Sequence, residues 1–276
     1  MKVSITILVE NTTPVPGLMG EFGFSTLIEV NGKRILFDTG SGEALEPNAK
    51  ALGVDLASVD ALVISHGHFD HTGGVLQLLP KLKKPVIYAH SGIFTRHLVP
   101  DGSNRTQYIG VPFSEDDLIR LGAQFVAVDD FFPLSDQVYL TGTIPRLTDY
   151  EDPGGLFIKE VKGVIAPDYI EDDMALVITH PEGLIIVSGC AHAGIINTIN
   201  YAMQRIGENK VLAFIGGTHL KGADEIRLQK TIAELKKINP QKLIVCHCTG
   251  FTASSRLSWE LPAITTKGET GMIFQF

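Results

Sequence analysis

The run His66-Gly67-His68-Phe69-Asp70-His71 places three imidazoles and a carboxylate within six consecutive positions. Imidazole nitrogens and carboxylate oxygens are ligands for first-row divalent metals. His66 and His68 stand two residues apart at the end of the apolar run Ala61-Leu62-Val63-Ile64-Ser65, so extended backbone points them to the same side. No single ion needs four ligands from one loop as well as others from elsewhere in the chain. The economical reading is two neighbouring ions, one served by His66 and His68 and the other by Asp70 and His71. A hydrogen-bonded structural role is the ordinary reading of a lone histidine. It is kept for His90, His97 and His180, although His90 and His97 flank a stretch read below as a lid, where contact with substrate stays open.

Two divalent ions ~3.5–4 Å apart lower the pKa of water towards neutrality and polarise a substrate oxygen. Asp70 would orient that water or take up its proton. His219 follows another apolar strand, in Gly216-Gly217-Thr218-His219-Leu220, and is placed in the pocket as an acid or substrate contact. The expected activity is hydrolysis of an ester, amide, thioester or phosphoester by metal-activated water. Zinc comes first among the expected ions, with manganese and iron as alternatives that the same ligand types suit.

The elements that position these residues alternate between strands and helices. Residues 3–9, 24–30 and 33–37 read as strands, the last two joined by Asn31-Gly32, a strong hairpin signal. Further strands are expected at 61–65, 85–89, 124–128, 137–141, 174–179, 183–187, 211–215, 242–246 and 271–275. Helices are expected at 43–52, 73–82, 193–206 and 224–237. Residues 91–170, rich in Gly, Pro and Asp, read as surface loops or a lid apart from the two strands within them. No linker or short repeat divides the chain. The pattern predicts one α/β domain over residues 1–276, two mixed sheets face to face with helices outside; the hairpin argues against a purely parallel sheet.

The 276 residues, 44% apolar and 20% charged, suffice for a sizeable core without disulfides. The longest apolar runs are strand-length, far short of the ~20 residues of a membrane span. The N-terminal stretch reads as a strand, not a signal sequence, so a cytoplasmic protein is expected. A net charge of −8 disfavours a nucleic acid substrate and leaves a small molecule. Three cysteines, Cys190, Cys246 and Cys248, cannot all pair, and are read as thiols or ligands.

The His66–His71 run resembles the His-x-His-x-Asp-His signature of the metallo-β-lactamase superfamily, and Leu36-Phe37-Asp38-Thr39-Gly40 resembles the aspartate turn that those proteins carry after an early strand. The resemblance implies a four-layer αβ/βα sandwich with one or two metals at the edge of the sheets. It implies that His66, His68 and a third ligand hold one ion, and that Asp70, His71 and a histidine after a late strand hold the other. His247, ending Leu243-Ile244-Val245-Cys246-His247, fits that last position. The third ligand is placed at His192, in Gly189-Cys190-Ala191-His192-Ala193-Gly194. Cys190 stands where many members carry a bridging aspartate, and its role stays open between a thiolate ligand and a small buried residue. Cys248 is read as structural. Asp38 is expected to orient the cluster through hydrogen bonds, and Gly67, Gly73 and Gly74 to allow close turns around it.

Further stretches, among them Val9-Glu10-Asn11-Thr12 and Gly20-Glu21-Phe22-Gly23, resemble one branch of the superfamily. That branch includes proteins similar to the dihydropterin-methyl ribofuranosylaminobenzene phosphate synthase of methanopterin biosynthesis. It implies an alternative, a transferase joining a dihydropterin methyl diphosphate to a ribofuranosylaminobenzene phosphate with release of diphosphate. Glu10, Asn11 and Glu21 would then lie near the substrate mouth, or simply on a surface loop. A non-catalytic or redox metal-binding module is a further alternative.

Overall fold

The computed structural model describes residues 1–103 and 105–276. Strands Val3–Val9, Ser25–Val30 and Lys33–Phe37 form an antiparallel meander. Its tight turn puts Asn31 and Gly32 at φ of 49° and 79°, the pair of positive values that a two-residue hairpin of this hand requires. Ala61–Val63, Val86–Ala89 and Gln124–Ala127 then add in parallel, and the C-terminal strand Ile273–Gln275 closes the other edge, giving a seven-stranded mixed sheet.

A second seven-stranded sheet comes mainly from the second half of the chain. Phe132–Pro133, Val138–Leu140, Ala175–His180 and Gly183–Ser188 are antiparallel neighbours. Val211–Gly217, Lys242–Cys246 and Thr265–Lys267 continue from Gly183–Ser188 in parallel.

The sheets face each other across Ile5, Ile7, Phe37 and Val63 on one side and Leu176, Ile185, Val187 and Ile215 on the other. Helices Ile195–Ile206, Glu225–Ile238 and Phe251–Glu260 cover the outer face of the second sheet, over Ile186, Phe214 and Val245. Shorter helices, Leu45–Ala51 and Val75–Leu78, cover Leu36 and Leu62 on the first. Four layers in the order αβ/βα result, and they explain why the central strands read as unbroken apolar runs: both faces are buried. Each large aliphatic side chain so buried contributes about 1.5–3 kcal/mol relative to exposure, so Leu184 to Val187 anchor firmly the strand that leads into Cys190 and His192.

Several expectations need correction. The stretch 91–170, read as loops apart from two strands, contains a separate four-stranded antiparallel sheet of Val164–Pro167, Ile158–Val161, Arg96–Pro100 and Thr106–Tyr108; Asn104, within that stretch, lies outside the described residues. Its strands are short and largely exposed, so they carry no strong apolar alternation. Helix Glu115–Arg120 also lies there, started by a capping box between Ser114 and Asp117. The helix expected at 73–82 is only the short helix Val75–Leu78 followed by a 3₁₀ turn Leu79–Lys81 that contains Pro80, and Gly73 and Gly74 separate it from a further short helix Phe69–Thr72. Helix Phe251–Glu260 and strand Thr265–Lys267 were not expected at all. No helix among the described residues is long and apolar enough to cross a membrane.

Candidate metal centre

Five segments bring polar residues to one end of the two sheets. Asp38 follows Lys33–Phe37, and His66 to His71 follow Ala61–Val63. Cys190 and His192 follow Gly183–Ser188, His219 follows Val211–Gly217, and His247 follows Lys242–Cys246. Each segment leaves the carboxyl end of a strand that has a parallel neighbour, the usual place for a site in an α/β sheet. The backbone there is strained: Asp38, Ala191, His219 and His247 have φ of 61°, 52°, 46° and 48°.

Local packing is equally tight. A Cβ on Gly189 would overlap Ser65 Oγ and come to 2.8 Å from Asp38 Oδ2, both fully buried. Gly189→Ala is therefore expected to cost about 1–3 kcal/mol through overpacking and to weaken metal uptake, as read by urea unfolding and by metal titration. An unchanged unfolding midpoint would show that the site relaxes more easily than this packing implies.

Two ligand groups stand side by side. In the first, His66 Nε2 and His68 Nδ1 are 3.0 Å apart, and a nitrogen of His192 lies within 4.8 Å of both. His192 Nδ1 donates to the carbonyl of Pro153 at 2.7 Å, which leaves Nε2 as a buried acceptor with no hydrogen-bond partner. His66 Nδ1 meets Ser65 Oγ at 2.9 Å. In the second group, Asp70 Oδ2 is 3.1 Å from His247 Nε2 and 3.7 Å from His71 Nε2. His71 Nδ1 is held by Asp38 Oδ2 at 2.7 Å, and His247 Nδ1 by Asn11 Oδ1 at 2.8 Å. Holding one ring nitrogen on an oxygen aims the other at a metal.

The donor set fits metal ions. Burial depresses the pKa of His66, His68 and His192, and neighbouring histidines lower each further. Protonation therefore does not relieve the crowding of their lone pairs, whereas a cation does. The second group is polarised differently. Burial disfavours a charged His71, but Asp38 and Asp70 outweigh it and raise its pKa to about 9. Burial likewise opposes ionisation of Asp70, yet His71 and His247 bring its pKa below the usual value. A metal arriving on His71 must displace a proton at neutral pH.

His219 joins the cluster, its ring centroid 4.3 Å from that of His192. Its N–H donates to Cys248 Sγ at 3.3 Å, its Nδ1 has no partner, and burial lowers its pKa. Phe157 packs on the rings of His68, His192 and His219, and the half-exposed Phe22 packs edge-on against His247. Phe157 is not marked by anything in its local sequence, and Phe22, although it lies in the stretch Gly20-Glu21-Phe22-Gly23, had been given no role of its own.

His97, read as isolated, is not. It is buried, with its ring 5.2 Å from that of His68, and its Nδ1 is 2.6 Å from Asp168 Oδ2. Its Nε2 is 3.5 Å from Asp172, whose other oxygen accepts the N–H of Gly67 at 2.7 Å. Burial opposes its charge, but the two aspartates raise its pKa to about 9. A folded-state pKa above the ordinary 6.5 stabilises the fold fully below about pH 6.5, and that stability is lost as pH rises to about 9. For His97 the loss is on the order of 3 kcal/mol. Metal-free His97→Gln should therefore lose less stability between pH 6.5 and 9 in urea unfolding than the metal-free parent. Equal slopes would rule out a charged His97.

The other named residues fall away from the cluster or behind it. His90 Nε2 meets Thr143 Oγ1 at 2.9 Å and its Nδ1 accepts from Gly92 N–H; His180 Nδ1 accepts from Glu182 N–H at 3.2 Å. Glu10, read as a mouth or surface residue, is buried and accepts the N–H of His247 at 2.8 Å. Asn11 orients His247, and Glu21 accepts the backbone N–H groups of Ser41, Gly42, Glu43 and Ala44. Glu10 and Asn11 thus brace His247 and also line the cavity beside it, while Glu21 braces residues 41–44.

Residues 18–155 match the model of the metallo-β-lactamase superfamily. The chain is also 35% identical over 265 residues to the 7,8-dihydropterin-6-methyl-4-(beta-D-ribofuranosyl)-aminobenzene-5'-phosphate synthase of Methanocaldococcus jannaschii, covering 93% of this chain and 90% of that protein. It belongs to the metallo-β-lactamase superfamily. An uncharacterized protein of the same organism is 32% identical over 92% of the chain and 93% of its own length. Among solved structures, a metal-dependent hydrolase of the beta-lactamase superfamily superposes with a TM-score of 0.85 at 25% identity, covering 99% of this chain and 98% of that one.

Proposed function

We propose that this superfamily member is a metal-dependent hydrolase holding two divalent ions, zinc first among the candidates. His66, His68 and His192 would hold one, and Asp70, His71 and His247 the other. The observation that carries this reading is the unpartnered, buried Nε2 of His192 beside His66 Nε2 and His68 Nδ1, three ligand nitrogens close enough together to share one cation. Ions bound there supply Lewis acidity and lower the pKa of water.

The chain's own residues do the rest. Asp70, kept ionised by His71 and His247, serves as a ligand and hydrogen-bond acceptor. His219, kept neutral by burial, can donate a hydrogen bond to a leaving oxygen. Phe22 and Phe157 wall the cluster and suit a small molecule with an apolar portion beside its ester or phosphoester. The net charge of −8 favours a small molecule over a nucleic acid.

The likeness to the synthase over 93% of the chain favours a second reading, transfer of a dihydropterin methyl group from its diphosphate to the aminobenzene acceptor. The ions would then hold diphosphate. Metal-reconstituted protein should be assayed on phosphodiester, lactone and thioester substrates, and on the pterin diphosphate with and without acceptor. Turnover in water alone supports the hydrolase, and turnover only with acceptor supports the transferase. Protein carrying two ions but turning over neither kind of substrate would point to a non-catalytic metal-binding module.

A further inference from the structure

The two ligand groups share one atom that neither contains. Cys190 Sγ lies 3.2 Å from His71 Nε2. It is within 4.8 Å of the ligand atoms of His66 and His71, of His192 and His219, and of His247 and Cys248. One sulfur thus faces histidines of both groups. Such spacings suit atoms bound to a common ion, since metal–nitrogen and metal–sulfur bonds are about 2.0–2.3 Å long.

Cys246 shows what a structural cysteine in this chain looks like. It packs in the apolar core between the sheets, with its Sγ 3.9 Å from the carbonyl of Ile244. Cys190 is equally buried but lies outside the three apolar clusters, although its neighbours Ala191 and Ala193 both belong to one. Its backbone also departs from core geometry: Gly189 admits the close approach of Ser65 and Asp38, and Ala191 takes a left-handed φ of 52°. These two residues turn the chain so that the sulfur points into the cluster and the alanines point away. Cys248 Sγ sits behind it, donating to the Cys190 carbonyl at 3.5 Å.

We propose that Cys190 is a metal ligand, a thiolate shared between the two ions. This deepens the metal-enzyme reading above and rests on it. On binding, the Cys190 S–H bond breaks, sulfur keeps the electron pair for the metals, and the proton leaves to water. The consequence is selectivity. A soft thiolate favours zinc, iron(II) or cobalt(II) over manganese or magnesium more strongly than a carboxylate in the same position would.

Metal-free protein should be loaded with cobalt(II), its cobalt content counted, and its near-ultraviolet spectrum recorded. A sulfur-to-cobalt charge-transfer band is expected in the parent, in Cys246→Ala and in Cys248→Ala, and should vanish in Cys190→Ser. Cys190→Asp should still take two ions, without the band, and should tolerate manganese better than the parent. X-ray absorption on the zinc-loaded parent should show sulfur at about 2.3 Å, a result that needs no variant to fold. Two cobalt ions bound with no band, or a band that survives in Cys190→Ser or disappears in Cys248→Ala, overturns the proposal and leaves the metal enzyme standing. A folded chain that takes up no cobalt overturns both.

Discussion

Asp70→Ala is expected to lose one bound ion and to cut turnover by on the order of 10³-fold or more, the scale on which removal of several kcal/mol of transition-state stabilisation acts. The carboxylate is the one anionic member of its group with His71 and His247: its Oδ2 lies 3.1 Å from His247 Nε2, and the two histidines are neutral donors once metal is bound. His66→Ala should be at least as damaging, because His66 belongs both to the group with His68 and His192 and to the one with His71 and Cys190. Elemental analysis and a steady-state assay on the same preparations test both variants. Full activity in a protein shown to be metal-free would end the two-ion mechanism.

Asp38→Asn ranks next. Asp38 touches no proposed metal position, yet its Oδ2 is 2.7 Å from His71 Nδ1 and 2.7 Å from Ser65 Oγ, while Oδ1 accepts the Ser65 N–H at 2.7 Å. One carboxylate thus aims His71 and turns the chain from Val63 into the His66 loop. Removing its charge while keeping its shape should lower metal affinity 10–100-fold, as is typical for groups that orient a ligand. It should also lower the pKa of His71, whose main support against burial is Asp38. Competition titration against a chelator measures the first effect. Metal affinity within a factor of two of the parent would show that the His71 ring is held by packing alone.

Much of this site was legible before any coordinates. His66, His68, Asp70 and His71 are neighbours in the chain, and ligand chemistry depends on residue type and short spacing, which a sequence displays directly. The long apolar strands were equally legible, because burial on both faces leaves no polar residue to interrupt them. Strand 61–65 nevertheless stops at Val63, since the Asp38 side chain takes the Ser65 N–H that a ladder would have used. That is a contact across 27 positions, and local propensity does not see it.

The chain by itself determined the chemistry on offer: a dense histidine–aspartate loop behind a buried strand, a hairpin that makes the sheet mixed, and the family those features resemble. Only the tertiary structure decided which distant groups complete it. His192, Cys190, His219 and His247 lie more than a hundred residues from His66 and meet it because three parallel strands of the second sheet end opposite one of the first. The same packing set Glu10 against the N–H of His247 and placed His97 beside His68. Which side chains share a site depends on where strand ends converge, and that is set by the burial of two sheets against each other.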